Sequence, residues 1–287
     1  MILVTGATGN VGREVVRLLV AGGEQVKAVT RHPATSALLT GALVVEGDPT
    51  RPQTLKSALS GVEAIMISPR ALGDATAGEA TAELLMLAAE RGVKRVVVLS
   101  ALTIEHGGGY QRFADAFKAV EDAAKASGLQ WTFLRSGDYA SNALAWMPQI
   151  RQAGIVRGVY GDGATSTIHE HDVAAIAALA LLDADAVHAG HSFVLTGPQS
   201  LSQRDKLRII GEGIGKAVPW QEIAPEQLRQ VLLAQGVPAD VPDRIIGYWG
   251  SLAEHPSPTT FEVERLLGRP ALTFADWAGE HAAAFKN

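Results

Sequence analysis

The chain has 287 residues, of which 47% are hydrophobic and 19% are charged, so its apolar side chains can fill a sizeable core without metals or disulfides. No cysteine is present, which excludes a disulfide framework, a thiolate metal site and a cysteine nucleophile. The net charge of −5 and the lack of basic runs argue against a nucleic-acid partner.

Neither a signal peptide nor a membrane span is expected. An apolar, strand-like run begins directly after Met1, which leaves no room for a conventional signal peptide. The longest apolar stretch, residues 173–182, is about half of what a membrane span needs. We therefore expect a soluble, cytoplasmic protein with no membrane partner, and the lack of cysteine fits a reducing compartment. The sequence leaves a homodimer open.

Short β-branched runs alternate with longer helical patterns from residue 1 to residue 200. The predicted strands are residues 2–5, 25–30, 42–45, 64–68, 95–100, 131–135 and 191–196. The predicted helices are residues 11–21, 52–60, 75–91 and 111–127, followed by one with its N-cap at Asp172. Gly22-Gly23 and Ser127-Gly128 are the expected ends of two of these helices. The alternation predicts an α/β fold, a Rossmann-type doubly wound parallel sheet with right-handed crossovers.

The pattern changes after about residue 200, where most segments are predicted to be helical. The predicted helices are residues 201–212, 225–235, 240–252, 261–267 and 274–285, and one extended piece is expected at 218–223. We divide the chain into a Rossmann domain over residues 1–200 and a small, mostly helical C-terminal lobe over residues 201–287. No long linker separates the two, so the lobe is not expected to be an independent domain.

The first strand runs directly into a glycine-rich loop and then a helix, which is the context that a dinucleotide-binding loop requires. Gly6 permits a tight turn, Gly9 lets the backbone approach a pyrophosphate, and Gly12 allows close packing of the helix. The alternative is a glycine-rich turn that binds nothing. The predicted cofactor contacts of this segment are Thr5, Gly6, Thr8, Gly9, Asn10, Val11 and Gly12.

The residues that follow the second strand indicate which dinucleotide binds. NAD-binding proteins usually place an acid there to hold the ribose 2′-hydroxyl, whereas this strand is followed by Arg31. A guanidinium is suited to a 2′-phosphate, so the prediction is NADP(H). The alternative is a surface arginine with no ligand. Asp48, after the third strand, is predicted to lie beside the adenine, with a simple turn residue as the alternative.

Several motifs together resemble the atypical short-chain dehydrogenases/reductases, in particular the NmrA-like family. They extend over essentially the whole chain and include the loop Thr5-Gly6-Ala7-Thr8-Gly9-Asn10-Val11-Gly12, Lys118-Ala119-Val120-Glu121, residues 127–135, Tyr139-x-x-Asn142, residues 171–174, residues 266–270 and residues 274–277.

Two subgroups of that family have this pattern. One comprises NADPH-dependent quinone reductases, including tailoring enzymes for aromatic polyketides. The other comprises NADP(H)-sensing regulators that bind the cofactor, do no chemistry and act through a protein partner. The segment 134–142 is similar to the reductases, so the resemblance implies an NADPH-dependent oxidoreductase whose partner is a small planar substrate.

The resemblance also implies the catalytic candidates. Lys118 matches the lysine of the superfamily's Tyr-x-x-x-Lys motif, which binds the nicotinamide ribose, but the tyrosine position is occupied by Ala114. Its loss argues against ketone reduction, because a developing alkoxide would lack a proton donor. A quinone instead gains aromaticity and forms a weakly basic phenolate. Lys118 as a solvated charge beside Glu121 is the alternative. Ser100, at the end of strand five, is either catalytic or a capping hydroxyl.

The remaining candidates, which the resemblance also implies, stand directly after strands four and six. Ser68 and Pro69 are expected at the cofactor ribose and Gly137 beside the nicotinamide. Tyr139, Asn142 and Trp146 are expected to line the substrate slot, with core packing as the alternative for Trp146. Tyr110 is expected in a loop rather than on the Lys118 helix. The motif His169-x-His171-Asp172 has too few ligands nearby for a metal site, and none is predicted.

Overall fold

The structure is a computed structural model that describes residues 1–33, 40–73, 76–106 and 111–286. The chain divides into two compact units. The first comprises residues 1–105, 112–136 and 170–195, and the second comprises residues 106–111, 137–169 and 196–287. The domain boundary predicted at residue 200 falls shortly after Leu195, the last residue of the first unit, and the second unit also takes in the segment 137–169.

Strands and helices alternate through most of the described chain. In chain order they are β1 (Ile2–Val4), α1 (Asn10–Ala21), β2 (Val26–Thr30), β3 (Leu43–Glu46), β4 (Ala64–Ile67), α2 (Ala77–Glu90), β5 (Arg95–Ala101), α3 (Thr103–His106), α4 (Gln111–Ala126), β6 (Gln130–Ser136), α5 (Met147–Ala153), β7 (Val156–Gly158), β8 (Ala164–Thr165), α6 (Glu170–Leu182), β9 (His191–Leu195), β10 (Leu201–Ser202), α7 (Gln203–Ile214), β11 (Trp220–Glu222), α8 (Pro225–Ala234), α9 (Asp240–Glu254), α10 (Glu262–Leu267), α11 (Phe274–Glu280) and α12 (Ala282–Phe285). Short 3-10 helices cover Pro52–Leu55, Pro69–Ala71 and Ala140–Trp146.

The first unit contains a seven-stranded parallel sheet in the order β3-β2-β1-β4-β5-β6-β9, which confirms the predicted Rossmann-type fold. Strand β1 lies between β2 and β4, with Ile2 opposite both Val26 and Ala64. The strand order therefore reverses between β1 and β4. In open α/β sheets, ligands bind in the crevice outside the carboxyl ends of the strands at such a switch point.

The sheet is buried because helices cover its faces, as continuous apolar strands require. Every residue of β1, β2 and β4 is buried. Helix α1 is amphipathic and buries Val15, Val16 and Leu19 among others. The ring of Trp131 stacks on that of Phe133 at the edge of the core. Among the described residues, no helix has the length and hydropathy that a membrane crossing demands.

The second unit has a core of its own and two small sheets. Strand β8 pairs antiparallel with β10, and β7 pairs parallel with β11. Its core centres on Trp277, which is fully buried and stacks on Phe274. Capping boxes begin α7 and α11, where the Ser202 and Thr273 hydroxyls accept from the backbone N–H of the third helical residue.

Some local predictions were wrong. Residues 52–60 were predicted to form an α-helix, but Pro52–Leu55 is a 3-10 helix and the residues after it form turns, because the backbone bonds there run mostly from i to i+3, as from Lys56 N–H to the Gln53 carbonyl. Asp172 was predicted as an N-cap, whereas α6 begins at Glu170 and buries Asp172 in its first turn. Strands β7, β8 and β10 were not predicted, since two or three residues give no recognisable alternation. The predicted start of the third helix, residue 75, lies outside the described residues.

Candidate functional site

The glycines of the loop between β1 and α1 pack against one another. Gly6 has a φ of +63°, which favours glycine, and a Cβ there would lie 2.7 Å from the Cβ of Ser68. A Cβ on Gly12 would lie much closer than 3.0 Å to the carbonyl oxygen of Gly6, and real Cβ atoms do not approach other atoms so closely. A Cβ on Gly9 would meet the same oxygen at 3.3 Å. The loop thus requires glycine at positions 6 and 12 and is more tolerant at position 9.

Thr5 connects the ends of the two strands that flank the switch point. Its hydroxyl donates to the carbonyl oxygen of Met66 at 3.0 Å and accepts from the backbone N–H of Ser68 at 2.9 Å. Thr5 is completely buried. Among the described residues, the Thr5 hydroxyl thus both donates and accepts a hydrogen bond. Thr5 therefore fixes the start of the loop by binding to the end of β4 and to Ser68. Pro69 follows as the first residue of a 3-10 helix.

The first turn of α1 offers backbone N–H groups to a ligand. No side chain caps this helix, because its N-cap is Gly9. The first intrahelical bond runs from the N–H of Arg13 to the carbonyl of Gly9, so the N–H groups of Val11 and Gly12 lie in the uncapped turn. The positive end of the helix dipole adds to their attraction for an anion. Thr8 and Asn10 are exposed on the same loop. The close glycine packing and the uncapped turn fit a pyrophosphate.

The two residues predicted near the adenosine half lie at the ends of β2 and β3, beside this loop in the sheet order. Arg31 is exposed directly after β2. Asp48 lies in a turn after β3, where its carboxylate accepts from the N–H of Thr50 at 3.1 Å. Asp48 therefore has the hydrogen bond of a turn residue, the alternative considered for it. Arg31 has the exposure that contact with a phosphate requires.

Ser100 lies in a buried polar network under the end of β5. Its hydroxyl donates to Oε1 of Glu121 at 2.6 Å, and the Glu121 side chain is only 2% exposed. Arg135, directly opposite Ser100 in the strand register, donates to both Glu121 oxygens at 2.9 and 2.7 Å. Arg135 also donates to Glu105. Because the Ser100 proton is committed to a carboxylate, its oxygen can accept a further hydrogen bond but not donate one.

The Glu121–Arg135 pair was not identified from the sequence. The hydrogen bonds that Arg135 donates to Glu121 are the leading cause that raises the pKa of Arg135, so the guanidinium stays charged. Both residues lie in segments that carry the family resemblance, which was the available signal. Their partnership was not visible there because it depends on how α4 crosses β5 and β6.

Lys118 lies on the exposed face of α4. Its Nζ contacts the carboxylate of Asp122 at 2.6 Å, one helical turn away, and its side chain is 61% exposed. The hydrogen bond with Asp122 is the leading cause that raises the pKa of Lys118. This exposure matches the alternative considered for Lys118, a solvated charge on the helix, and the neighbouring Glu121 is buried with Arg135. Ala114 lies one turn before Lys118, and Tyr110 lies outside the described residues.

The substrate-side candidates belong to the second unit. Tyr139 pairs with Ile168 in an isolated parallel bridge, flanked by the backbone bonds from Ile168 N–H to Asp138 and from Ala140 N–H to Ile168. The 3-10 helix after it carries Asn142, which is exposed, and ends at Trp146.

Trp146 packs edge-on against the ring of Trp220 and against the core of the second unit. This packing matches the core alternative for Trp146. Gly137, the first residue of the segment, is half-buried.

The histidines of the His169-x-His171 motif each contact a carboxylate. In the second unit, His169 Nε2 lies 3.3 Å from Glu280. In the first unit, His171 Nδ1 lies 2.6 Å from Glu14. The pKa of Glu14 is lowered to about 2, chiefly by the hydrogen bond from Arg17. Burial would raise this pKa, and the hydrogen bond with His171 adds to the lowering. Among the described residues, no cluster of three or more metal-ligating side chains is present.

The chain is similar to proteins of known sequence and structure. Residues 6–184 match a family described as NAD(P)H-binding. The chain is 33% identical to the (4-alkanoyl-5-oxo-2,5-dihydrofuran-3-yl)methyl phosphate reductase of Streptomyces griseus, over 99% of each chain. It is 31% identical to the NAD(P)H azoreductase of Xenophilus azovorans, again over 99% of each. A solved NADPH-dependent quinone oxidoreductase of Escherichia coli, in complex with NADPH, is 26% identical with a TM-score of 0.83, covering 98% of this chain and 99% of that one.

Proposed function

Because the chain belongs to the NAD(P)H-binding family and is an NADPH-dependent oxidoreductase, we propose that its acceptor is a quinone or a quinone-like planar aromatic compound. The observation that carries this proposal is a complete dinucleotide loop in a chain whose acid/base tyrosine is replaced by Ala114. An aromatic polyketide quinone is one acceptor of this class.

Each candidate residue has a proposed part in cofactor binding. The N–H groups of Val11 and Gly12 hold the pyrophosphate, and Arg31 holds the 2′-phosphate. Lys118 orients the nicotinamide ribose by exchanging its surface partner Asp122 for a ribose hydroxyl. The other proposed contacts are Gly6, Thr8, Gly9, Asn10, Asp48, Ser68, Pro69 and Gly137, with Thr5 shaping the loop.

The reaction consumes one NADPH, one quinone and one proton and yields NADP+ and a hydroquinone. NADPH, when bound, supplies the hydride from C4 of its nicotinamide. Ser100 cannot protonate the product, since its proton is held by Glu121. The phenolate that forms is a weak base, and water can protonate it, so the protein's task is to position the planar acceptor. Tyr139, Asn142 and Trp146 are the proposed positioning groups.

The relatives' names support this class of acceptor. They denote a dihydrofuranone phosphate, an azo compound and a quinone, each of which carries a double bond that accepts two electrons. None of the three names denotes an isolated ketone. Ala114 in this chain likewise argues against an isolated ketone as the acceptor, because the acid/base tyrosine is missing.

The test is NADPH oxidation, followed at 340 nm, with a panel of benzoquinones and naphthoquinones. We expect one hydroquinone per NADPH and a primary isotope effect of about 2 to 5 with NADPH deuterated at C4 in the transferred position. An unactivated ketone such as cyclohexanone, as the control, is expected to give no turnover. Tight NADPH binding without turnover of any quinone would contradict the proposal. That result, together with a partner protein retained only in the presence of NADP+, favours a cofactor-sensing role.

Replacing Arg31 with alanine is expected to weaken NADPH binding about tenfold or more while leaving NADH binding within about twofold, because only NADPH carries the 2′-phosphate. Titration of the intrinsic tryptophan fluorescence with each cofactor measures both dissociation constants. Arg51→Ala is the matched control, since Arg51 is also an exposed arginine and its side chain lies 4.0 Å from that of Asp48. An equal loss for both cofactors in Arg31→Ala would show that Arg31 does not recognise the 2′-phosphate.

A further inference from the structure

A buried ion pair in the second unit lies directly beside the proposed substrate-side residues. Asp138 Oδ2 accepts from Lys206 Nζ at 2.6 Å, and their side chains are 7% and 3% exposed. The hydroxyls of Thr165 and Thr167 donate to the same oxygen at 2.9 and 3.1 Å. The Lys206 ammonium also donates to Thr165 and lies 5.4 Å from the ring centre of Trp249. A charge pair so fully desolvated is costly unless it is well hydrogen-bonded, and each of these two charges has further polar or ring contacts.

The pair fixes the charge state of Asp138. Burial alone would raise the pKa of this carboxyl, but the Lys206 charge and the hydrogen bonds outweigh it and hold the pKa below its ordinary value. Burial, together with the negative charge of Asp138, raises the pKa of Tyr248, so its phenol group stays neutral. Asp138 is therefore an ionised carboxylate, which can only accept hydrogen bonds.

This charge state determines how the Asn142 side chain is oriented. The second oxygen of Asp138, Oδ1, is 2.7 Å from Asn142 Nδ2. An acceptor-only partner requires that the amide nitrogen of Asn142, not its oxygen, face the carboxylate. Within the described residues, Asn142 Oδ1 accepts no hydrogen bond, and the residue is exposed. The amide oxygen is thus held outward as an acceptor.

We infer that the Asp138–Lys206 pair is a positioning device that presents the Asn142 amide oxygen to a hydroxyl group of the substrate, so that hydroxylated quinones are preferred. This inference rests on the proposed function, because it takes Asn142 as a substrate-side residue. Asp138 and Lys206 act through Asn142 and do not touch the substrate. An amide with no fixed partner could rotate to offer either its nitrogen or its oxygen, and the preference would be lost.

The test compares 6-hydroxy- with 6-methoxy-1,4-naphthoquinone, which differ in one hydrogen-bond donor. Their dissociation constants are measured by calorimetry on NADP+-loaded protein, so the result does not depend on turnover. We expect the natural protein to bind the hydroxy compound about five- to tenfold more tightly. Asn142→Ala is expected to bring that ratio to about one. The double variant Asp138→Asn, Lys206→Met is expected to do the same, and adding Asn142→Ala to it should cause no further fall.

Controls separate positioning from general stability. Arg208→Met with Glu212→Gln removes an exposed ion pair from the same helix, α7, and should keep the ratio. If the double variant does not fold, Asp138→Glu takes its place in the test. This variant keeps a carboxylate to pair with Lys206 but displaces it by one methylene, and it should lower the ratio at least about twofold.

Equal binding of the two quinones by the natural protein, binding of neither, or a ratio unchanged in the Asp138 variants would overturn the inference. Failure of the proposed function is a different result, namely no NADPH oxidation with any quinone.

Discussion

Gly12→Ala is expected to weaken NADPH binding by more than about 100-fold, whereas Gly9→Ala should weaken it less than about tenfold. The added methyl at position 12 collides with the carbonyl oxygen of Gly6, and backbone cannot yield as a flexible side chain can. The loop and the first turn of α1 must therefore separate, which displaces the N–H groups proposed to hold the pyrophosphate. At position 9 the same oxygen would be 3.3 Å from the new carbon, a tight but tolerable contact.

The pair of variants makes the result interpretable. Both add one methyl group at the junction between the loop and α1, so a general effect of added methyl groups there would affect them alike. Dissociation constants come from fluorescence titration, and far-ultraviolet circular dichroism checks that each variant is folded. If Gly12→Ala binds NADPH as tightly as the natural protein, the loop is not the pyrophosphate site.

Glu121→Ala is expected to lower the free energy of unfolding by about 3–5 kcal/mol, because it leaves a mostly buried guanidinium without its principal partner. Within the described part of the chain, Arg135 then keeps its bond to Glu105 alone, and the Ser100 hydroxyl loses its acceptor. At about 2–4 °C per kcal/mol, the thermal midpoint should fall by about 6 °C or more. Urea denaturation monitored by circular dichroism measures the change.

Asp122→Ala is the matched control for Glu121→Ala. It removes a neighbouring carboxylate of the same helix, but the Asp122 pair with Lys118 is exposed, and exposed pairs contribute little to stability. We expect no measurable change in its unfolding midpoint. A loss of stability in Glu121→Ala as small as that of the control would contradict a structural role for the buried network.

Features encoded by local patterns were predictable from the sequence. The glycine loop and most strands of the sheet follow from short runs and turn residues, because burial on both faces requires continuous apolar strands. The segment 52–60 was mistaken for an α-helix, since 3-10 and α-helical turns have similar composition over so few residues. Strands β7 and β8 are too short to show a period.

The polar networks were not predictable in the same way. Asp138 and Lys206 are 68 positions apart and meet only after the second unit has folded. The pairing of Ser100 with Arg135 follows from the register of β5 and β6, which the pattern of either strand alone does not specify. Lys118 was identified from its motif, but its contact with Asp122 depends on which face of α4 is exposed. Side-chain partners across elements depend on three-dimensional packing, and local periodicity does not encode it.

The contact between Gly6 and Ser68 has a consequence for how this sequence can diverge. A carbon atom added at position 6 would overlap the Ser68 side chain, and the Ser68 N–H is bound to Thr5. Positions 5, 6 and 68 are therefore expected to change together during evolution, although 63 residues separate Thr5 from Ser68. A library randomised at position 68 alone should accept only small residues. Redesign of this crevice for another cofactor would have to alter both strand ends in the same step.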